Sequence, residues 1–415
     1  MPAIKISVPG SKSITNRALA LAFFSDHKIV IKNAADCTDT EYFVKALKSL
    51  GIKTTRKKDS IEITPRKKPF DPSEKFNIYT HNAGTTTRFL TALCTLIGSQ
   101  VTITGDARMQ ERPIEELTKA LNKLGAKVST KNGCPPVEIA AQKLKGGEVK
   151  IAGNISSQYI SALLLTAPFT EKGAIIKIVQ KLCSQPYIKS TIEVLKSFGI
   201  KLKNNKFIQF QIPGNQKVKT KEYTVEADAS SASYPAAYAA LHPKKSVLLS
   251  NISKKSIQGD IKFLKYLEKM GCKITEKKNG IQITGPKKLK SLDIIDMNET
   301  PDLVMTFAVL AAFTEGKTII KNIANLRIKE TDRLAALEHE LNKLGVQAKA
   351  GKDFLEIHGT QKLNKNIQIH TYDDHRMAMC FAIIRDLTKG LKIENPECVS
   401  KSYTSFWSDL KKLEA

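Results

Sequence analysis

The sequence lacks most of the features that announce a function class. It contains no run of eighteen apolar residues, so no transmembrane helix is expected. Residues 1–10 read as a short strand entering a turn, with no apolar leader-like core, and the expected location is the cytoplasm without membrane association. The seven cysteines are dispersed and none forms Cys-x-x-Cys, which argues for reduced thiols and against a zinc site or a disulfide framework. A Gly-x-Gly-x-x-Gly fingerprint is missing, and the lysine of the Gly-Ser-Lys stretch lacks the preceding second glycine of a Walker A loop. Aromatic residues make up 7%, with a single tryptophan.

Arginine is scarce in a chain that is strongly basic. Of 66 basic residues only ten are Arg (17, 56, 66, 88, 108, 112, 327, 333, 376 and 385), and the formal net charge is +26. Charge of this sign suggests nucleic acid as one class of partner. The lysines, however, are spread along the chain, and the few aromatics look core-directed, so a lysine-rich surface is the preferred reading. Against that bias, a retained Arg marks a place that needs a planar, bidentate donor. Arg17, Arg88, Arg108, Arg112, Arg327, Arg333 and Arg376 all lie in polar, glycine- or serine-containing stretches.

The 415 residues suit two domains. Segments 41–65, 114–140, 191–214, 260–285 and 333–359 share one pattern: amphipathic helix, glycine, strand, polar turn, strand. The closing pairs are Leu50-Gly51, Leu124-Gly125, Phe198-Gly199, Met270-Gly271 and Leu344-Gly345, a glycine every 72 to 74 residues. A sixth glycine is missing, because the chain closes on the helical stretch 405–415. The strand-like residues 3–8 are expected to supply part of that last repeat. Six repeats divide into two groups of three, with hinges near 9–13 and 226–233 and a ligand cleft expected between the groups.

Small hydroxylated and cationic residues recur where apolar helices begin. Pro9-Gly-Ser-Lys-Ser-Ile-Thr-Asn-Arg17 precedes a helical run at 18–24, and Asn82-Ala-Gly-Thr-Thr-Thr-Arg88 precedes one at 89–96. Arg108-Met-Gln-Glu-Arg-Pro113 follows an expected strand at 100–104, with Glu111 a ready local partner for Arg112. Asn154-Ile-Ser-Ser-Gln158 and Ser184-Gln-Pro-Tyr187 place serines at helix heads, where they suit either ordinary capping or a phosphate monoester. Asp302 heads the helix expected at 303–313. Asn325, Lys329 and Arg333 fall on one face if their segment is helical, with two cations in repulsion that a bound anion would offset. Glu330 sits among cations, as an ion-pair partner or a general acid/base. Asp373-Asp-His-Arg376 opens another helix, where His375 reads as a hydrogen-bonding residue because no second His stands at ligand spacing. Taken together, these loops describe a site for small, densely charged molecules.

In this order, Pro9-Gly-Ser-Lys-Ser, Asn82-Ala-Gly-Thr, Arg108-Met with Glu-Arg-Pro113, Ser156-Ser-Gln158, Asp228-Ala-Ser-Ser-Ala-Ser-Tyr234, Gln258-Gly-Asp260, Lys329-Glu-Thr-Asp-Arg333 and Asp374-His-Arg-Met-Ala-Met-Cys380 resemble the 5-enolpyruvylshikimate-3-phosphate synthases across essentially the whole chain. The resemblance implies a mixed α/β (α+β) fold of two domains, each with three βαβαββ units arranged as an inverse α/β barrel. The domains would be 1–10 with 229–415, and 11–228, with the active-site cleft between them. It implies transfer of the enolpyruvyl group of phosphoenolpyruvate to the 5-hydroxyl of shikimate 3-phosphate, without cofactor or metal, by a monomer that binds no nucleic acid.

Site residues carry over by the same resemblance. Lys12, Ser13, Arg17, Ser156, Ser157, Gln158, Ser184, Asp302, Asn325 and Lys329 would hold shikimate 3-phosphate. Lys12, Gly84, Arg88, Arg108, Gln158, Arg333, Arg376 and Lys401 would hold phosphoenolpyruvate, with His375 nearby. Lys12, Asp302 and Glu330 would share the proton transfers. An Arg333→Lys change is expected to weaken phosphoenolpyruvate binding without unfolding the protein. Phe89 departs from the proline found after this arginine in many members. The alternatives are the related UDP-N-acetylglucosamine enolpyruvyl transferases, which carry a loop cysteine absent from 106–112 here, and a basic nucleic-acid-binding repeat protein.

Overall fold

The structure is a computed structural model that describes residues 2–243, 245–360 and 362–415. The chain divides into two compact units, Gly10–Val225 and Met1–Pro9 with Glu226–Ala415. Among the described residues, no helix is long and apolar enough to cross a membrane.

The unit Gly10–Val225 contains α1 (Lys12–Ala22), α2 (Thr38–Ser49), α3 (Gly84–Cys94), α4 (Glu115–Lys123), α5 (Ser157–Thr166) and α6 (Gln185–Ser197). Helices α1, α3 and α5 are buried along nearly their whole length and pack on one another. Helices apolar on every side belong in an interior. Helices α2, α4 and α6 instead bury one stripe. Three four-stranded sheets cover this core. In each, two parallel strands continue into an antiparallel hairpin. Lys75–Tyr79 pairs with Gln100–Thr104, for example, which pairs in turn with Cys134–Ile139. Glu222–Thr224, late in the unit, completes the sheet begun by Ile29–Lys32.

The second unit repeats this plan with α7 (Ala229–Leu241), α8 (Phe263–Lys269), α9 (Val304–Ala311), α10 (Arg333–Lys343), α11 (His375–Ala382) and α12 (Phe406–Glu414). Its buried helices are α7, α9 and α11. The N-terminal strand Ile4–Ile6 pairs in parallel with Ser246–Leu249, in register Ile4 to Val247. It therefore completes the fourth sheet and not the last, contrary to the expectation from the repeat. The sixth sheet stays two-stranded, Gln368–Ile369 with Lys392–Ile393. The physical reason is that Ser246–Leu249 otherwise lacks a parallel neighbour, and every complete sheet here has one.

The five repeat glycines all end helices in the left-handed region, at φ 77°, 99°, 80°, 100° and 84° for Gly51, Gly125, Gly199, Gly271 and Gly345. Each makes the paired bonds of a Schellman motif; at Gly271 these are Gly271 N–H to Glu268 O at 3.0 Å and Cys272 N–H to Leu267 O at 2.9 Å. A Cβ at Gly271 would meet only Pro286 at 3.5 Å, ordinary contact, so the requirement there is conformational. Gly271→Ala is expected to destabilise its unit by about 1–2 kcal/mol, and Gly271→Asn by less, in denaturant unfolding. Equal stability of all three proteins would refute the assignment.

Candidate active site

Two of the buried helices start earlier than their apolar runs suggest. Helix α1 begins at Lys12 and α3 at Gly84, so Lys12, Ser13, Arg17 and Arg88 lie within helices and not in the loops before them. Burial overrides the weak helix propensity of Ser, Thr, Asn and Gly.

In the first unit, side chains tie the starts of these helices together. Ser11 caps α1 and Ser156 caps α5, where its Oγ accepts from Gln158 N–H at 3.2 Å. Gln158 Nε2 donates to Thr85 Oγ1 of α3 at 3.3 Å, and Thr86 Oγ1 donates to the Asp39 carbonyl of α2 at 3.1 Å. Lys12 Nζ donates to Asp39 Oδ2 at 2.9 Å, with side chains 14% and 3% exposed. Ser13 lies 3.4 Å, oxygen to oxygen, from Ser11. Ser157 is buried at the first position of α5. Ser184 departs from the capping reading: it precedes α6 at φ 53°, left-handed, and its side chain does not cap the helix. Such a backbone position is uncommon for a serine and holds its side chain away from the usual capping geometry.

Three arginines of this unit, Arg17, Arg88 and Arg112, are buried, whereas Arg108 stays partly exposed. Arg17 donates to Thr191 Oγ1 at 2.8 Å, Ser13 O at 2.7 Å, Tyr187 O at 3.2 Å and Ser161 Oγ at 3.5 Å. It also stacks over Phe89, 5.5 Å from the ring centroid, an aromatic contact a proline there would not offer. Burial lowers the Arg17 guanidinium to about 10. Arg88 donates to Pro113 O at 2.8 Å and Gly84 O at 3.3 Å. Glu111 pairs with Arg108 at 2.9 Å, and Arg112 binds Asn82 Oδ1 at 2.8 Å. Gly84 lets the Arg112 guanidinium pack closely, because a Cβ would lie 2.6 Å from Arg112 Nη2 and displace it.

The second unit carries a denser cluster. Asn325 lies in a 3-10 turn, Ala324–Ile328; Lys329 is extended at φ −87°, ψ −154°, and Arg333 opens α10. The three do not share a helical face, so the i, i+4 arrangement expected for Lys329 and Arg333 does not form. Arg333 is 1% exposed and faces carboxylates: Asp374 Oδ2 at 2.8 Å, Glu330 Oε2 at 2.9 Å and Asp302 Oδ1 at 3.2 Å. Burial opposes its charge, yet Asp374, Glu330 and Asp302 together raise its proton affinity. Arg376 Nη2 takes the other oxygen, Asp302 Oδ2, at 2.9 Å, and its Nη1 donates to Tyr234 at 3.4 Å. Asp374 caps α11 through Arg376 N–H at 2.9 Å, and the adjacent His375 is buried, with Nδ1 3.5 Å from Asp374 Oδ1. Lys401 is buried at the end of the 3-10 segment Pro396–Lys401.

Two residues of these clusters went without a role in the sequence. Asp39 was unmarked because it is 27 positions from Lys12 and only folding pairs them. Asp260, in the Gln-Gly-Asp stretch, is buried and receives a hydrogen bond from Ser230 Oγ. Its own signal was weak: an acid closing a polar, glycine-bearing turn.

The architecture is the two-domain fold of the enolpyruvyl transferases. The solved EPSP synthase of Acinetobacter baumannii superimposes with a TM-score of 0.79 at 24% identity, over 99% of this chain and 95% of that one. The family described as EPSP synthase (3-phosphoshikimate 1-carboxyvinyltransferase) matches residues 3–410. The 3-phosphoshikimate 1-carboxyvinyltransferase of Haemophilus influenzae (strain PittEE) is 41% identical over 98% of this chain and 96% of its own length. That of Actinobacillus pleuropneumoniae serotype 5b is 42% identical over 99% and 96%. The chain belongs to the EPSP synthase family.

Two predictions follow from the geometry. Asp39→Asn is expected to lower kcat by on the order of 10²-fold in a folded protein, because Lys12 loses the carboxylate that fixes its Nζ; an unchanged kcat would show that Lys12 needs no such anchor. Arg333→Lys is expected to cost about 2–3 kcal/mol of stability in denaturant unfolding, because a single ammonium replaces a fork shared by three carboxylates. A loss of this size is within what a domain of ordinary stability sustains while staying folded, as the sequence expectation requires. Unaltered stability would contradict the network.

Proposed function

We propose that the chain transfers the enolpyruvyl group of phosphoenolpyruvate to the 5-hydroxyl of shikimate 3-phosphate, giving 5-enolpyruvylshikimate 3-phosphate and phosphate, and that both charged clusters serve this reaction. The observation that carries the reading is 41% identity to 3-phosphoshikimate 1-carboxyvinyltransferase over 98% of the chain. The absence of a cysteine from 106–112 speaks against the UDP-N-acetylglucosamine alternative.

Ser156, Ser157 and Ser184 receive the phosphate of shikimate 3-phosphate, aided by the N-terminal end of α5. Ser13, Arg17, Gln158, Asp302, Asn325 and Lys329 hold its ring and carboxylate. Phosphoenolpyruvate is held by Lys12, Gly84, Arg88, Arg108, Gln158, Arg333, Arg376 and Lys401. The 5-hydroxyl gives up its proton as its oxygen bonds to C2 of phosphoenolpyruvate, and C3 gains a proton, giving a tetrahedral ketal phosphate. Loss of a proton from the C3 methyl then expels phosphate and restores the double bond. Lys12, Asp302 and Glu330 move the protons, and the cations stabilise charge as it develops.

The test is phosphate release by the purified protein. Release is expected only when both substrates are present. Equal turnover with UDP-N-acetylglucosamine as acceptor, or none with either acceptor, would overturn the reading.

A further inference from the structure

We propose that Thr191 is a positioning residue for this reaction: its hydroxyl fixes the edge of the buried Arg17 guanidinium so that this cation can take the carboxylate of shikimate 3-phosphate. The proposal rests on the reading above that Arg17 holds the ring and carboxylate of that substrate.

Arg17 is 2% exposed, and every group it meets among the described residues is uncharged. Those groups are Thr191 Oγ1, the Ser13 and Tyr187 carbonyls, Ser161 Oγ and the Phe89 ring. Its situation is therefore unlike that of Arg333 and Arg376, which face carboxylates of the chain itself. A guanidinium taken out of water without a counter-ion carries a desolvation cost that nothing offsets. Burial accordingly lowers its proton affinity. A carboxylate brought by a ligand offsets that cost, provided that the planar fork is held in one orientation.

Two contacts set that orientation. Arg17 Cζ sits over the Phe89 ring of α3, 5.5 Å from its centroid. Thr191 of α6 takes the edge: its Oγ1 accepts from Arg17 Nε–H at 2.8 Å. A helical threonine can bond to the carbonyl four residues back, and Thr191 does so, with Oγ1 2.9 Å from Tyr187 O. That bond alone is a local feature of α6. The same oxygen also lies 2.8 Å from Ser161 Oγ of α5, and the arginine it holds stands 174 positions away on α1. The contacts with Tyr187 and Ser161 pin the Thr191 rotamer and leave a lone pair for Nε. Thr191 is itself buried, so a methyl in place of its hydroxyl leaves the Nε–H without an acceptor.

The experiment measures, by calorimetry, the dissociation constants of shikimate 3-phosphate and of its carboxylate methyl ester. The proteins are the wild type, Thr191→Val, Thr191→Ser and Thr191→Ala, at a temperature where thermal unfolding shows each of them folded. Thr191→Val removes the hydroxyl at nearly constant volume and is expected to weaken shikimate 3-phosphate binding about tenfold. The ester is expected to change much less, so the preference for acid over ester shrinks. Thr191→Ser keeps the hydroxyl and is expected to restore the preference. Thr191→Ala leaves room for a water at Nε, is expected to shift in the same direction as valine, and carries the test should the valine protein not fold. A merely structural role would lower stability and leave the acid-to-ester preference unchanged, and that result would overturn the proposal. A Thr191→Ser protein that behaves like Thr191→Val would do the same. A wild type that binds acid and ester equally would remove the role of Arg17 and this proposal with it. Absence of wild-type turnover with shikimate 3-phosphate would instead defeat the functional reading on which both stand.

Discussion

A helix buried on every side meets solvent or ligand only at its ends. That constraint governs this protein. Helices α1, α3 and α5 in one unit, and α7, α9 and α11 in the other, are enclosed by sheets and by the half-buried helices between them. Their apolar flanks are committed to the core. Their N-terminal ends carry unsatisfied N–H groups and partial positive charge, and there the polar residues gather: Ser11 and Lys12, Gly84, Ser156, Asp228 and Asp374. The left-handed glycines do the complementary work on α2, α4, α6, α8 and α10, closing each helix so that the following hairpin can return to its sheet.

The two units meet this constraint with opposite electrostatics. Around α1, α3 and α5 the polar groups are hydroxyls, amides and cations, and the arginines are largely satisfied by carbonyl and hydroxyl oxygens. Around α7, α9 and α11 carboxylates outnumber the guanidiniums that hold them. A buried ion cluster of this kind is a weak source of net stability, because desolvation cancels most of the attraction. It does fix geometry, holding the two guanidiniums at set positions among the acids.

Much of this was legible in the sequence. The five closing glycines revealed the repeat, because only a residue tolerant of positive φ ends these helices so sharply. Lys12, Gly84, Ser156, Asp302 and Arg376 were legible as small or charged residues beside apolar runs. Helix starts were less legible: Ser, Thr and Asn at 13–16 and 85–87 read as loop, since their preference for helix shows only once their surroundings are buried. The partners of the arginines were not legible at all. Arg333 looked like a cation in need of an anion, and the fold supplies three carboxylates, from positions 302, 330 and 374.

The sequence by itself determined the repeat, the segregation of lysine from arginine and the positions of the charged helix starts, because these follow from local conformational preference and composition. Tertiary structure alone decided which strand completes which sheet and which charges meet. Ile4–Ile6 lies 240 residues from the strand it joins, and Asp39, Asp260 and Asp374 gain their meaning from neighbours on other helices. Parallel pairing and ion pairing both act through space, so no local pattern in the chain records them.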